Sequence, residues 1–420
     1  MAPPDPAAVR RRPARGGVRA DERALAPDLA RGLMLLLIVL SNTGFFLYTA
    51  EYGPTGWHPV DGSAVDRAVR FAMITALDLR VYPLFAFLFG YGMMRLYARQ
   101  TAAGASGRAA VALLRRRSLW LLVFGGVHAA LFLGGDILGV YGVVSLVLGA
   151  LLLRRSDRAL LFWAAAAYLP MCVAALTSVG DLSAAPGSTP LPEPSFTAYA
   201  AGAESALAAV GVRLTTWAFL VGFAVLGFPM YAAMLLGFWA ARRRVLEEPH
   251  RHLRLLRRTA VAGVAIGWAG GLPAALAHSG LLDVPAAALG EDGLLGQVQS
   301  ATGVPGGLGY AAVITLVAMR LPTRVRRSAP VRAVAATGAR SLSCYLAHSA
   351  LFSPVLAAWG LGLGAHLGSA TVAAFAIGVW LLTVVAAAAL DRAGRRGPAE
   401  ALLRRLVYGR PAPTGPGAPG

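Results

Sequence analysis

The sequence predicts an all-α fold, a polytopic membrane helix bundle of about ten transmembrane helices with both termini in the cytoplasm. Three observations carry that expectation. Of 420 residues, 57% are hydrophobic and 14% charged, whereas a soluble domain carries roughly 25% charged residues. Apolar stretches close to the ~20 residues that a ~30 Å hydrocarbon core requires recur along the whole chain. The polar segments between them alternate between arginine-rich and arginine-poor.

Residues 1–26 are rich in Arg, Pro and Ala without apolar periodicity, a composition that cannot offset the entropy of ordering and reads as a disordered tail. The apolar run after it is long for a signal-peptide core and lacks a small-x-small cleavage site, so it reads as an uncleaved first span. The transmembrane domain, 27–396, is then expected to hold spans near 32–50, 81–98, 118–135, 137–153, 159–179, 215–241, 259–279, 302–320, 342–360 and 369–390. With the tail placed inside, 35 of the 39 arginines fall on one side, leaving Arg67, Arg70, Arg80 and Arg213. That bias with an even number of spans places both ends in the cytoplasm of a plasma-membrane protein.

The segment at about 180–213 carries Pro186, Pro190, Pro192 and Pro194 with few charges and reads as an external loop. Residues 64–79 are expected to lie on the outer membrane surface. At 397–410 an interfacial cytoplasmic helix is expected, with Leu402, Leu403 and Leu406 against Arg404 and Arg405, and 411–420 reads as a second disordered tail. All 39 basic residues are arginine and the net charge is +19. Their placement in short runs between apolar blocks argues for topology and against nucleic acid, leaving the lipid bilayer as the expected partner. Cys172 and Cys344 sit in apolar blocks without ligand-like neighbours, so neither a disulfide framework nor a metal site is indicated. A weak repeat relates Tyr82-Pro83-Leu84-Phe85-Ala86 to Phe228-Pro229-Met230-Tyr231-Ala232.

Polar groups retained by apolar spans are costly and therefore point to function. Arg31 and Asn42 are eleven residues apart, on one helix face and roughly 16 Å apart along the axis, with Asp28 placed to pair with Arg31. They read as a polar face lining a cavity, or as a membrane anchor plus an interhelical hydrogen bond. His128 lies near mid-depth of the third span and Asp136 closes its outer end. Eight residues are about 12 Å of continuous helix, so the two meet only if Gly134-Gly135 folds Asp136 back. A neutral His128 suits a general base, and an interhelical hydrogen bond is the plainer alternative. Tyr345 and His348, in the run 337–348, are further candidates for the cavity wall. Arg80 stands at the outer end of the second span, either snorkelling or holding an external anion.

The same segments resemble a known family. Asp28-Leu29-Ala30-Arg31-Gly32 with Asn42, the run from Pro83 to Gly92, Gly126-Val127-His128 leading to Gly135-Asp136-Ile137-Leu138, Gly338-Ala339-Arg340-Ser341-Leu342-Ser343, and Gly397-Pro398-Ala399-Glu400 with Tyr408-Gly409 are similar to the YeiB family, domain of unknown function 418. The family tends to carry amides where this chain has Cys344 and His348, and an aromatic residue at Ala401. Its topology and opening motif are similar to those of membrane acyltransferases, which move an acyl group from cytoplasmic acyl-CoA to an acceptor reached from outside. Many of those enzymes place a histidine eleven positions after the arginine, where this chain has Asn42. An amide is no base near neutral pH, so the resemblance makes His128 the substitute, with Asp136 shaping the outer mouth. The expected activity is acyltransferase-like with acyl-CoA as donor, and the rival expectation is a transporter using the same polar residues as a path.

Overall fold

Helix boundaries in this chain are written largely by side-chain caps. Ser63, Ser106, Asp136, Ser156 and Ser205 each accept a hydrogen bond from the backbone N–H three residues on, satisfying a donor that the first helical turn cannot. In the computed structural model, residues 24–53, 55–184, 193–226, 228–290 and 292–409 are described. The two tails expected at 1–26 and 411–420 lie outside them, save that residue 24 caps the first helix and residues 25 and 26 already belong to it.

The helices in chain order are α1 Leu25–Ser41, α2 Ala64–Ala76, α3 Val81–Ala102, α4 Gly107–Leu131, α5 Ile137–Leu151, α6 Asp157–Thr177, α7 Ser195–Tyr199 and α8 Ala206–Phe223. They continue as α9 Phe228–Arg242, α10 Leu253–His278, α11 Leu294–Arg320, α12 Thr323–Arg326, α13 Ala329–Ala339, α14 Ser341–Leu356, α15 Ser369–Arg392 and α16 Pro398–Tyr408. Among the described residues, pairing of β type is limited to one isolated bridge, Tyr52 with Pro59.

Five helical stretches are long and apolar enough to cross a membrane, those containing α6, α8, α10, α11 and α15, or six if α2 and α3, bent by 44° at their junction, count as one. The others expected to span are shorter or more basic. α1, α5, α9 and α14 have 17, 15, 15 and 16 residues, roughly 22–26 Å at 1.5 Å per residue. Large apolar side chains nevertheless face outward, among them Phe162 and Trp163 on α6, Phe219 on α8 and Val385 on α15, while Arg80, Arg213, His128 and Asp136 are buried. That inversion of the soluble pattern belongs to a bundle surrounded by an apolar medium.

Three expectations change. The single span at 215–241 is two helices, because the chain breaks after α8 into a short 3₁₀ turn, Ala224–Leu226, before α9. Pro229 lacks the N–H that a continuous helix would need there. The helix placed at 206 rather than 215 also shortens the expected external loop. Lastly, α16 is less a surface stripe than a docked helix: Leu403 and Val407 are buried against the bundle while Leu402 is exposed.

Small residues bring the helices together. A Cβ on Gly90 would collide with the Met234 carbonyl, and one on Gly237 with the Phe87 carbonyl, so α3 and α9, the two helices opened by the weak repeat, interlock through reciprocal glycines. Gly32 and Gly338 do the same for α1 and α13, and Gly263, Gly267, Gly306 and Gly309 for α10 and α11. The expected outcome of Gly237→Leu or Gly338→Leu is a loss of about 1–3 kcal/mol or more by overpacking. Gly378→Leu, where nothing lies within 4 Å, leaves the unfolding midpoint in detergent unchanged; an equal effect at all three positions contradicts this packing.

Candidate functional site

Where α1, α3, α4 and α16 converge at the arginine-rich face, with the α13–α14 junction beside them, they enclose a cavity of about 550 Å³. Six arginines line it, Arg31, Arg95, Arg99, Arg117, Arg396 and Arg404, against the carboxylates of Asp28, Glu247 and Glu400. Arg31 donates to Asp28 at 3.1 Å and Arg95 pairs with Glu247 at 2.8 Å. Tyr91 also donates to Glu247, at 2.9 Å. Glu400 is committed elsewhere: it accepts the Leu342 N–H at 2.8 Å and the Ser343 N–H at 3.2 Å, capping the N-terminus of α14 and tying α16 to it.

With those carboxylates engaged, the wall keeps positive charge. Arg117 stacks over the Phe89 ring at 5.4 Å and Arg404 over Tyr408 at 5.5 Å. Among the described residues neither Arg99, Arg117 nor Arg404 has a carboxylate within salt-bridge distance, and Nη1 of Arg404 is buried without a hydrogen-bond partner. Burial holds the Tyr408 phenol above its ordinary value despite the arginines that pull it down, so it stays neutral and offsets none of that charge. Gly92 leaves the space that the Arg31 guanidinium fills. Guanidinium forks in a partly closed cavity suit phosphate or carboxylate oxygens, which they bind through short charge-assisted hydrogen bonds.

The histidine–aspartate pair forms a second constellation. After α4 ends at Leu131 the chain turns through Gly134-Gly135, and Asp136 returns to His128, Nδ1 to Oδ1 at 2.8 Å. The condition set by the spacing is therefore met by the double glycine. Gly135 is required because a Cβ would strike the Tyr199 ring, and Gly125 because a Cβ would strike Asp136 itself. Asp136 also caps α5, accepting the Gly139 N–H at 2.8 Å, and receives a long contact from the Tyr345 hydroxyl at 3.4 Å. His128 and Asp136 are 2% and 0% exposed, and His128 Nε2 has no partner. With Nδ1–H given to the carboxylate, Nε2 carries the lone pair.

The residues expected to share one cavity are divided. Arg31 lines the arginine cavity; Tyr345 packs on His128 with ring centroids 5.1 Å apart. His348 donates to or accepts from the Thr383 hydroxyl at 2.9 Å and shares with Asn42 a space of about 10 Å³, room for no more than one water. Asn42 is not deep in a span, because α1 stops at Ser41 and Asn42 is its C-cap. Arg80 lines neither the arginine cavity nor the space beside His348, and it does not snorkel. It is fully buried, donating to the carbonyls of Gly267, Asp78 and Ile74. Arg213, given no role by the sequence, closes the end of α4 by donating to the carbonyls of Ala129 and Ala130 at 3.2 and 2.8 Å.

Four of the five motifs read from the sequence thus meet at the arginine cavity, and the remaining one builds the His128–Asp136 pair. Residues 240–410 match the family model described as protein of unknown function, DUF418. The uncharacterized protein YxaH of Bacillus subtilis is 27% identical over 92% of this chain and 95% of its own length, and the uncharacterized protein YeiB of Escherichia coli is 28% identical over 92% and 96%. Residues 240–410 thus resemble DUF418, and nearly the whole chain is similar to these two uncharacterized proteins. A shorter match, 35% identical over 31% of this chain and 34% of its own length, is to an uncharacterized 39.9 kDa protein in the amylase 3' region of Bacillus acidopullulyticus. The DUF418 match begins at α9's last turns, so that segment supplies α14 and α16, while α1, α3 and α4 complete the cavity from outside it.

Asp136→Ala is expected to cost about 2–4 kcal/mol, combining the lost cap with an unpaired buried histidine. Asp136→Asn, which keeps an acceptor for the Gly139 N–H, costs less. Thermal unfolding in detergent orders the two, and the reverse order contradicts this account of the turn.

Proposed function

We propose that this chain is a multi-pass plasma-membrane protein of about ten crossings whose arginine-rich face is cytoplasmic, and that its arginine cavity takes an anionic, phosphate-bearing ligand from that side. The observation that carries the reading is the positive charge left on the cavity wall once Asp28, Glu247 and Glu400 are engaged. Acyl-CoA fits that class, and the reaction that suits it is acyl transfer to an acceptor at or beyond the membrane.

His128 supports this reading. It lies eleven residues along α4 from Arg117, roughly 16 Å, within reach of an extended ligand whose phosphates stay among the arginines. The acceptor's oxygen or nitrogen would bond to the acyl carbon as the carbon–sulfur bond breaks. Its proton would pass to His128 Nε2 and from there to the leaving thiolate, while Asp136 holds the ring and stabilises its charged form. The second reading, transport, is favoured by a separate cavity at the opposite face, lined by Asp78 and Leu79 just before α3, while α3 itself lines the first.

Coenzyme A is the probe for the first reading. Arg99→Gln with Arg117→Gln is expected to weaken its binding at least tenfold, from ~1.5–3 kcal/mol per charged hydrogen bond, and the exposed control Arg257→Gln to leave it unchanged. Undiminished binding in the double variant sinks the assignment. Acyl transfer lost in His128→Ala with coenzyme A binding retained supports the enzyme; uptake into vesicles that survives His128→Ala supports transport. Orientation has its own test. In a variant freed of Cys172 and Cys344, a cysteine at Ser156 is expected to react with an impermeant thiol reagent only from the cytoplasm and one at Ser205 only from outside.

A further inference from the structure

At the face opposite the arginines, the turn that carries Trp57 and His58, the junction of α2 and α3, and the start of α11 enclose a second cavity of about 180 Å³, room for about six waters. A His–Asp pair lies in its wall: His58 Nε2 and Asp78 Oδ2 are 2.7 Å apart, and the two residues are 4% and 7% exposed. His58 and Asp78 lie twenty residues apart, and the Tyr52–Pro59 bridge and the cap of α2 fold the intervening chain back so that they meet. The backbone at this junction is held independently of any ligand. Arg80 donates to the Asp78 carbonyl from behind, and Gln299 donates to the Ile74 carbonyl at 3.0 Å. His278, whose Nε2 meets the Pro59 carbonyl at 2.9 Å, packs edge-on to His58.

The chemistry of this wall is the opposite of the first cavity's. Its charged side chains are the carboxylates of Asp78 and Asp292; the rest of its polar lining is imidazole, amide and hydroxyl, with the Trp57 ring at one side and no arginine. An anion entering it meets like charge. A protonated amine meets carboxylates, which favour a cation.

We propose that this cavity is a second ligand site, for a small molecule bearing an amino group, with the His58–Asp78 pair and Asp292 as its polar contacts. The site stands without the first cavity's ligand being known. It also bears on that question, since a single cargo passing between the two cavities would have to suit opposite charges, whereas two separate ligands would not.

The test uses the full chain in detergent with ethanolamine as probe and glycolate as its anionic counterpart of similar size. Ethanolamine is expected to raise the unfolding midpoint saturably, glycolate to have no effect, and Asp292→Asn to weaken the ethanolamine response at least tenfold while coenzyme A binding is unchanged. His58→Gln is expected to weaken it likewise; if that variant fails to fold, Asp292→Asn at the rim carries the test alone. Absence of a saturable ethanolamine response, an equal response to glycolate, or a response indifferent to Asp292→Asn overturns the proposal. Loss of coenzyme A binding in the Arg99 and Arg117 variant leaves the ethanolamine response intact, so the two sites fail separately.

Discussion

A helix leaves its last carbonyls without partners, and inside an apolar medium no water takes them. In this protein guanidinium groups do. Arg80 reaches Ile74 and Asp78 at the end of α2 and, in addition, the mid-helix Gly267 carbonyl of α10; Arg213 reaches Ala129 and Ala130, and Arg242 reaches Leu153 and Arg155. Arg340 closes α13 and holds Asp391 and the Arg395 carbonyl beyond α15. Each uses several N–H groups of one rigid fork at once, which an ammonium cannot do from a single point. The complete absence of lysine from the chain agrees with that use: arginine here is a joint between helix ends.

The same constraint separates what is legible in the sequence from what is not. Helix starts are local: Asp136 and Ser156 stand close before the spans expected at 137 and 159, whereas Ser106 and Ser205 start α4 and α8 well before the apolar stretches expected at 118 and 215. Asp28 with Arg31, and the double glycine before Asp136, are local too, and the structure keeps both pairings as the spacing allowed. Lateral neighbours are not local. Nothing in the spacing of Arg31, Asn42, His128 and His348 says that α1 ends before Asn42, or that α14 turns Tyr345 toward Asp136 and His348 toward Thr383. Arg80 misled because an arginine at a span's end reads as snorkelling, whereas Gly271 and Gly306 leave room for it to turn inward. His58 and Asp78 escaped notice because the turn that joins them carries no apolar period.

Glycine decides the geometry that arginine then locks. The cavity wall needs Gly92 for Arg31, the dyad needs Gly125 and Gly135, and the joint between α1 and α13 needs Gly32 and Gly338. These are requirements of close approach, and they explain why motifs that look like runs of small and aromatic residues converge in space. In this chain they pack α1, α3 and the α13–α14 junction around one positively charged hollow.

α16 supplies Leu403, Arg404 and Tyr408 to that hollow and is fastened to α14 through Glu400. Translation reaches residues 398–408 after every other described helix. A chain cut near residue 397 therefore loses one wall of the hollow, Arg404 and Tyr408 included, while the residues by which α1, α3 and α4 line it remain.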